Sequence, residues 1–290
     1  DTLTMALQSG EIDAAQGLPY SSYNLFEEND QFKISSADTS RVYQVAFNFD
    51  TPALQDLKVR QAICSAIDKD TFCKTLLNGR GTPAVGAFPS NFEFGNNALT
   101  GPSFDQEKSK SLLAQAGWTD TDGDGYVDKN GQKLTIRWLT YSSRQELPLL
   151  AEYAEANLKD IGIEVQINVT ENAKSVLASG QYDVYASSFV AAPTGDPQYF
   201  FTAHLLDESP YNVGHYHNDE IEGLVEELRN EFEPEKRAQL AIEIQQQVLD
   251  DSAYLFVSHL KMSFVMQNSI SGFEAHPSDY YEITNNLDVN

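Results

Sequence analysis

"LQSGEIDAA" (residues 7–15) and "LASGQYDVY" (residues 177–185) repeat Leu, Ser, Gly and Asp in one order, 170 positions apart. Each phrase reads as a helix stopped by glycine and followed at once by a strand. Gly10 and Gly180 can adopt the left-handed backbone conformation that ends a helix and frees its last carbonyls for capping. Any α/β protein contains several such joints. The sharper reading is that parts of two α/β lobes, built on one plan, lie in the same chain.

Composition narrows the choice of roles. A length of 290 residues suits two domains or one large one. The hydrophobic fraction of 41% is that of a soluble globular protein, and no stretch approaches the roughly 20 apolar residues that span a bilayer. A net charge of −24, from 43 acidic and 19 basic residues, repels phosphate backbones and argues against nucleic acid as a partner. The chain opens on Asp1 and "TLTMALQSG", which looks like the middle of a helix with no leader pattern before it. The expectation is a processed or partial chain.

Local patterns set out the elements in order. In "RVYQVAFNFDT", Val42, Gln44, Ala46 and Asn48 alternate with Tyr43, Val45, Phe47 and Phe49, as in a strand. Thr51 and Pro52 predict a capped helix start, and a second helix over 71–78 stops at Asn78-Gly79. The Gly-, Pro- and Asn-rich stretch 79–102 predicts an extended surface loop. Ser103 and Gln106 stand in capping-box spacing, with Gly117 closing that helix. "KLTIRWLTY", a helix over 145–160 and "IEVQINV" (163–169) form a βαβ crossover and hence a parallel pair. A short helix near 172–178 leads to a strand expected in the same sheet. Helices start at Asn218 and Pro234, and "AYLFVSHLKMSFVMQ" predicts one or two strands. Cys64 and Cys73 are too far apart to meet on one straight helix. A corner at Asp68–Asp70 would let them approach, so a disulfide and two separate core thiols both stay open.

"DTDGDGYVD" (120–128) carries the clearest chemistry. Asp120, Asp122 and Asp124 alternate, Gly125 permits a sharp turn, Tyr126 offers its carbonyl and Asp128 takes the ninth place. These are the first three-quarters of an EF-type calcium loop. The twelfth place, which should bring a bidentate Glu, is Gly131. Structural calcium is the expectation, with water or a distant side chain completing the shell; a plain Asp/Gly turn is the alternative.

Three separated phrases, "VRQAICSAIDKDTFCKTLLNGRGTPA", "DQEKSKSLLAQAGWTDTDGDG" and "GDPQYFF", together resemble the family-5 solute-binding proteins of ABC importers, the peptide- and nickel-binding receptors. The resemblance runs through nearly the whole chain. It implies an α/β, two-lobed fold of the type II periplasmic-binding-protein kind, present here as one complete lobe plus pieces of the other. Residues 1–45 would end lobe I, 46–260 would form lobe II, and 261–290 would return to lobe I. It also implies a monomeric, non-enzymatic receptor that works outside the cytoplasm, in the periplasm or lipid-anchored at the cell surface, and docks on ABC permease subunits. In open α/β sheets ligands gather at the carboxyl ends of strands, and each opening phrase feeds a strand expected to point there.

The same resemblance bears on the ligand. "FVAAPTGDPQYFF" is expected to face the cleft with Thr194, Asp196 and Tyr199. Dipeptide-binding relatives carry Trp and an acidic residue where this chain has Val190 and Gln198, which weakens a dipeptide assignment. Asp196 suits either a ligand ammonium or the cap of the helix near Pro197. "HYH" (215–217) and "HPSDYYEIT" (276–284) are similar to the nickel branch, so His215, His276 and Tyr280 become candidate contacts for a nickel chelate. On a strand, His215 and His217 would point to opposite faces. The leading expectation is a receptor for nickel or a nickel chelate, followed by a short-peptide receptor. A secreted calcium-stabilised hydrolase is the third; no G-x-S-x-G or H-E-x-x-H supports it, although carboxylate pairs abound.

Overall fold

Helix Thr2–Ser9 stops at Gly10 with φ +75°, and helix Ala173–Ser179 stops at Gly180 with φ +67°. A Cβ added at either glycine would meet nothing within 4 Å, so the left-handed dihedral, not crowding, calls for glycine. Each joint then enters a strand, as the repeated phrase predicts. A computed structural model describes residues 2–278, 283 and 285–289.

In chain order the strands are β1 (Ala14–Gln16), β2 (Phe32–Phe47), β3 (Gly81–Pro83), β4 (Asp128–Lys129), β5 (Gln132–Lys133) and β6 (Thr135–Thr140). They continue with β7 (Glu164–Val169), β8 (Val184–Val190), β9 (Tyr254–Gln267), β10 (Ile270–Ser271) and β11 (Asp288–Val289). Among the described residues the main sheet has seven strands in the order β1-β9-β2-β8-β6-β7, with β3 on β9. β6 pairs in parallel with both β7 and β8, which is the expected crossover with the second phrase's strand added. β2 is antiparallel to both β8 and β9.

The β2–β9 ladder shifts register twice, widely between Asp38 and Val42 and again between Tyr43 and Gln44, where Val257 of β9 is left over. Asp38 opposes Lys261 and Val42 opposes His259, so three residues of β2 face the single Leu260. This bulge divides the sheet. On one side, β1 runs from Ala14 to Gln16 beside Met266 to Phe264, toward the bulge. On the other, β8 runs from Val184, opposite Phe47, to Val190, opposite Arg41, also toward the bulge. The two phrases therefore feed strands whose carboxyl ends converge on one place.

Both faces of the sheet are covered. Val45, Phe47 and Trp138 pack with helices Leu57–Ala66, Gln106–Gln115 and Glu146–Lys159 on one side. Val42, Ala46 and Phe256 pack with helices Gln198–His204, Asp219–Asn230 and Pro234–Asp250 on the other. Asp183, from the second phrase, ties the layers together. Its carboxylate accepts from the Arg137 main chain (2.7 Å), the Arg137 guanidinium (2.6 and 3.0 Å) and Thr51 Oγ1 (2.9 Å).

Several local expectations shift once distant partners are present. Thr51 does not cap a helix: Pro52–Gln55 is a single 3₁₀ turn, and the α-helix starts after Asp56, whose side chain accepts from the Lys58 amide. Asp105, not Ser103, caps the next helix. The stretch 79–102 is no surface loop. It includes β3, and Ala84, Ala87 and Phe88 are fully buried, with Phe88 edge-on to Phe94, Phe200 and Phe201. The segment predicted as one or two strands is one, β9. Cys64 and Cys73 are free, buried thiols, each pushed up to about 12 by burial.

Two of the five histidines belong to the core. Burial lowers His204 from its ordinary 6.5 to about 3 and His259 to about 4, because a desolvated imidazolium is costly. Below about pH 6.5 the unfolded chain takes up two protons that the native state excludes, so stability falls as pH drops through that window. At pH 5 the loss is about 2 kcal/mol per histidine. Denaturant midpoints measured from pH 7.5 to 5 should show this slope, and H204Q should flatten it. An equal slope in H204Q would remove His204 as its cause.

Candidate functional site

A cavity of about 800 Å³ opens where the strand ends converge. Gln16 and Gly17 border it just after β1, Ser142–Glu146 just after β6, Arg41 at the bulge and Leu260–Ser263 along β9. Its position follows from the sheet: parallel strands present loop amides and side chains at their carboxyl ends, where a ligand can approach.

Arg41, Arg80, Arg144 and Lys261 all line this cavity, and Glu146 is the one carboxylate among its lining residues. Four of 19 basic groups thus gather at one place in a chain of net charge −24. Arg80 pairs with Glu27 and lies 4.7 Å over the Tyr23 ring. Arg41 Nη1 donates to Ser188 Oγ at 3.3 Å. Among the described residues, Arg144 and Lys261 form no ion pair. Glu146 is 5% exposed and accepts from the Tyr20 hydroxyl. Burial and that carboxylate hold the Tyr20 phenol far above its ordinary range, so it remains a donor. The arrangement suits a carboxylate or another oxyanion, which a guanidinium binds through two parallel hydrogen bonds.

The residues singled out from the sequence scatter around this cavity. Thr194 lies between Pro193 and Gly195, which border a neighbouring pocket of about 210 Å³ together with Ser40, Val190 and His276. Asp196 has both oxygens engaged: Oδ1 accepts the Gln198 amide at 2.8 Å, and Oδ2 pairs with Arg237 at 2.6 Å. Asp196 therefore supports the first amide of helix Gln198–His204, whose N-cap position is Pro197, and faces Arg237. Tyr199 is half exposed and stacks on Phe189, centroids 5.2 Å apart.

His215 is not on a strand. It takes φ +53° in an irregular segment, with Nδ1 2.6 Å from Asp50 Oδ2. Gly214, next to it, backs onto the Phe47 carbonyl, whereas His276 shares its pocket with Asp38 and Ser40. His276 thus borders β2 beside the bulge and His215 lies by its carboxyl end, so the fold does not bring the two together. Tyr280 falls outside the described residues.

Sequence reasoning passed over Arg41, Arg80, Arg144 and Lys261. Arg144 carried a signal, being a scarce basic residue directly after a predicted strand. The others meet it only through strand pairing.

The acidic loop is partly as expected. Asp120, Asp122 and Asp124 bring carboxylate oxygens within 4.8 Å of one another. They also accept loop amides: Asp120 from Gly123 and Gly125, Asp122 from Asp124, and Asp124 from Tyr126. Asp128 departs from the set. It belongs to β4, where pairing with Lys133 fixes it, and its carboxylate accepts from the Thr121 amide and hydroxyl at 2.8–2.9 Å. Lys133 Nζ sits 2.7 Å from Asp124 Oδ2 and 4.2 Å from the Tyr126 ring centroid. Gly131, at the twelfth place, is in the tight β4–β5 turn with φ +73°.

Comparisons with known proteins identify the family and the fold. Residues 1–212 match the family described as bacterial extracellular solute-binding proteins, family 5. The oligopeptide-binding protein AppA of Bacillus subtilis is 25% identical over 285 residues, covering 96% of this chain and 52% of AppA. The nickel-binding protein NikA of Staphylococcus aureus is 23% identical over 279 residues, covering 96% and 54%. A crystal structure described as a nickel ABC transporter from Bacillus halodurans superposes with TM-score 0.83 at 27% identity, covering 99% of this chain and 60% of that one. The chain spans about half the length of the curated relatives it matches.

Proposed function

Because the chain belongs to the bacterial extracellular solute-binding proteins of family 5, we propose that it forms part of an ABC importer's receptor, which holds a small carboxylate-bearing solute at the β2–β9 bulge and delivers it to membrane permease subunits. The observation that carries this is the group of Arg41, Arg80, Arg144 and Lys261 around one cavity in a strongly acidic protein. The family binds solutes and is not a family of enzymes, so the hydrolase reading is set aside. We place the lobe boundaries at 45/46 and 260/261. The second adjoins the wide bulge, which supports it; the first lies farther along β2, within the part paired with β8. The uncovered half of the relatives would then supply the facing wall of the cleft. The receptor works outside the cytoplasmic membrane.

Two solute classes bring carboxylates: nickel chelates and short peptides. Nickel-binding relatives and the position of His276 beside the smaller pocket support the first. The oligopeptide-binding relative supports the second. Among the described residues no histidine lines the larger cavity, which favours a solute held by its carboxylates, whether a peptide terminus or a chelator, over direct imidazole–metal bonds. Calorimetric titration of the full-length protein with a short-peptide pool, the same pool amidated at its C-termini, and nickel with free histidine separates these classes. R144A should weaken whichever solute binds by about 10- to 100-fold. Unchanged affinity in R144A would place the solute elsewhere.

Calcium at residues 120–128 is the finer part of the proposal. Asp120, Asp122 and Asp124 support it, with the Tyr126 carbonyl and water completing an oxygen shell. Added calcium should raise the melting temperature relative to chelator, and D122N should remove the difference. An identical melt in both conditions would mean that Lys133 alone neutralises the loop.

A further inference from the structure

Away from the cavity, the loop after helix Gln198–His204 meets the first turn of helix Asp219–Asn230. There Asp207, His217 and Glu222 each bring one ligand atom within 4.8 Å of the other two. His217 Nδ1 lies 2.9 Å from Asp207 Oδ1, and its Nε2 lies 3.4 Å from Asp219 Oδ1. Glu222 Oε1 accepts the Asp207 amide at 3.1 Å.

This geometry poses a charge problem. A neutral imidazole carries one N–H, so it can donate to only one of the two carboxylates; its other nitrogen then turns a lone pair toward an anion. Among the described residues, no lysine or arginine pairs with Asp207, Asp219 or Glu222. A second ring proton would relieve the lone pair but leave three carboxylates facing a single positive charge. A divalent cation among them relieves both. The main chain is also held on either side of His217. Tyr216 is buried, with its main chain clamped by Asn212 (3.1 and 2.8 Å) and its hydroxyl bonded to Asp251. Asn218 caps the following helix through the Glu220 and Ile221 amides.

We propose that Asp207, His217 and Glu222 bind a divalent transition-metal ion, with Asp219 as an outer partner and water in the open positions. One imidazole nitrogen with two carboxylate oxygens suits zinc, nickel or cobalt better than magnesium or calcium, which prefer all-oxygen shells. Metal–ligand bonds of about 2.0–2.2 Å place opposite ligands about 4.2 Å apart, so the side chains need only small adjustments. Such an ion would fasten the 205–217 loop to the helix. It goes beyond the proposed receptor role and is separate from both the solute cavity and the acidic loop.

The test is titration of the full-length protein with cobalt and then zinc, in excess calcium to saturate all-oxygen sites, read by cobalt visible absorption and by calorimetry. The expected result is saturable binding that H217A and E222Q each weaken more than about tenfold, while R144A leaves it unchanged. H217A should retain the wild-type melting temperature in chelator and its solute binding, which separates failure here from failure of the receptor reading. No cobalt bands in the wild type, or binding indifferent to H217A and E222Q, would overturn the site.

Discussion

The antiparallel pairing of β2 with β9, with its wide bulge at Thr39–Arg41, is the constraint on which the rest depends. Thr39, Ser40 and Arg41 face Leu260 alone, and the extra backbone is satisfied locally. Thr39 Oγ1 donates to the Leu260 carbonyl at 2.9 Å and accepts the Arg41 amide at 3.2 Å. The Ser40 carbonyl accepts the Ala191 amide at 2.8 Å. Because a strand's side chains alternate between faces, a slip of one residue would reverse which face each occupies. The bulge absorbs its extra residues without disturbing the cores on either side. Above it, Tyr43, Val45 and Phe47 keep one core while Val42 and Ala46 keep the other. Below it, Met262, Phe264 and Met266 form a third cluster with Ile270.

Function follows from where the bulge stands. It brings Arg41 and Lys261 to the mouth shared by β1 and β6, and the turn after β6 adds Arg144. In a protein of net charge −24, most of the surface repels anions, so a cationic pocket bounded by low-dielectric walls focuses them. Glu146 and Tyr20 shape the floor of that pocket while their own charge and proton stay tied to one another. The chemical selectivity proposed for the solute is thus a consequence of chain path, with basic residues far apart in sequence meeting at one register break.

What the sequence disclosed was local. Gly10, Gly180 and the βαβ unit rest on neighbouring residues, and each appears as predicted; β7 alternates only as far as Asn168, since Val169 is exposed. The misplaced elements have distant partners. Residues 79–102 look like a loop because Gly and Pro dominate, yet β3 pairs with β9 and Phe88 packs on residues more than 100 positions later. Thr51 resembles a cap, but its hydroxyl serves Asp183. Asp196 offered two roles, and its pairing with Arg237, 41 positions on, was not visible locally. The cationic cavity was hidden for the same reason, since only the β2–β9 register places Arg41 and Lys261 together.

The most direct measurement is a crystal structure of the full-length protein with a bound carboxylate-bearing solute. The solute carboxylate should accept hydrogen bonds from Arg144, in the turn after β6, flanked by Arg41 and Lys261 at the bulge. A solute ordered elsewhere, with those three side chains untouched, would contradict the claim that the register break in β2 and β9 builds the binding site.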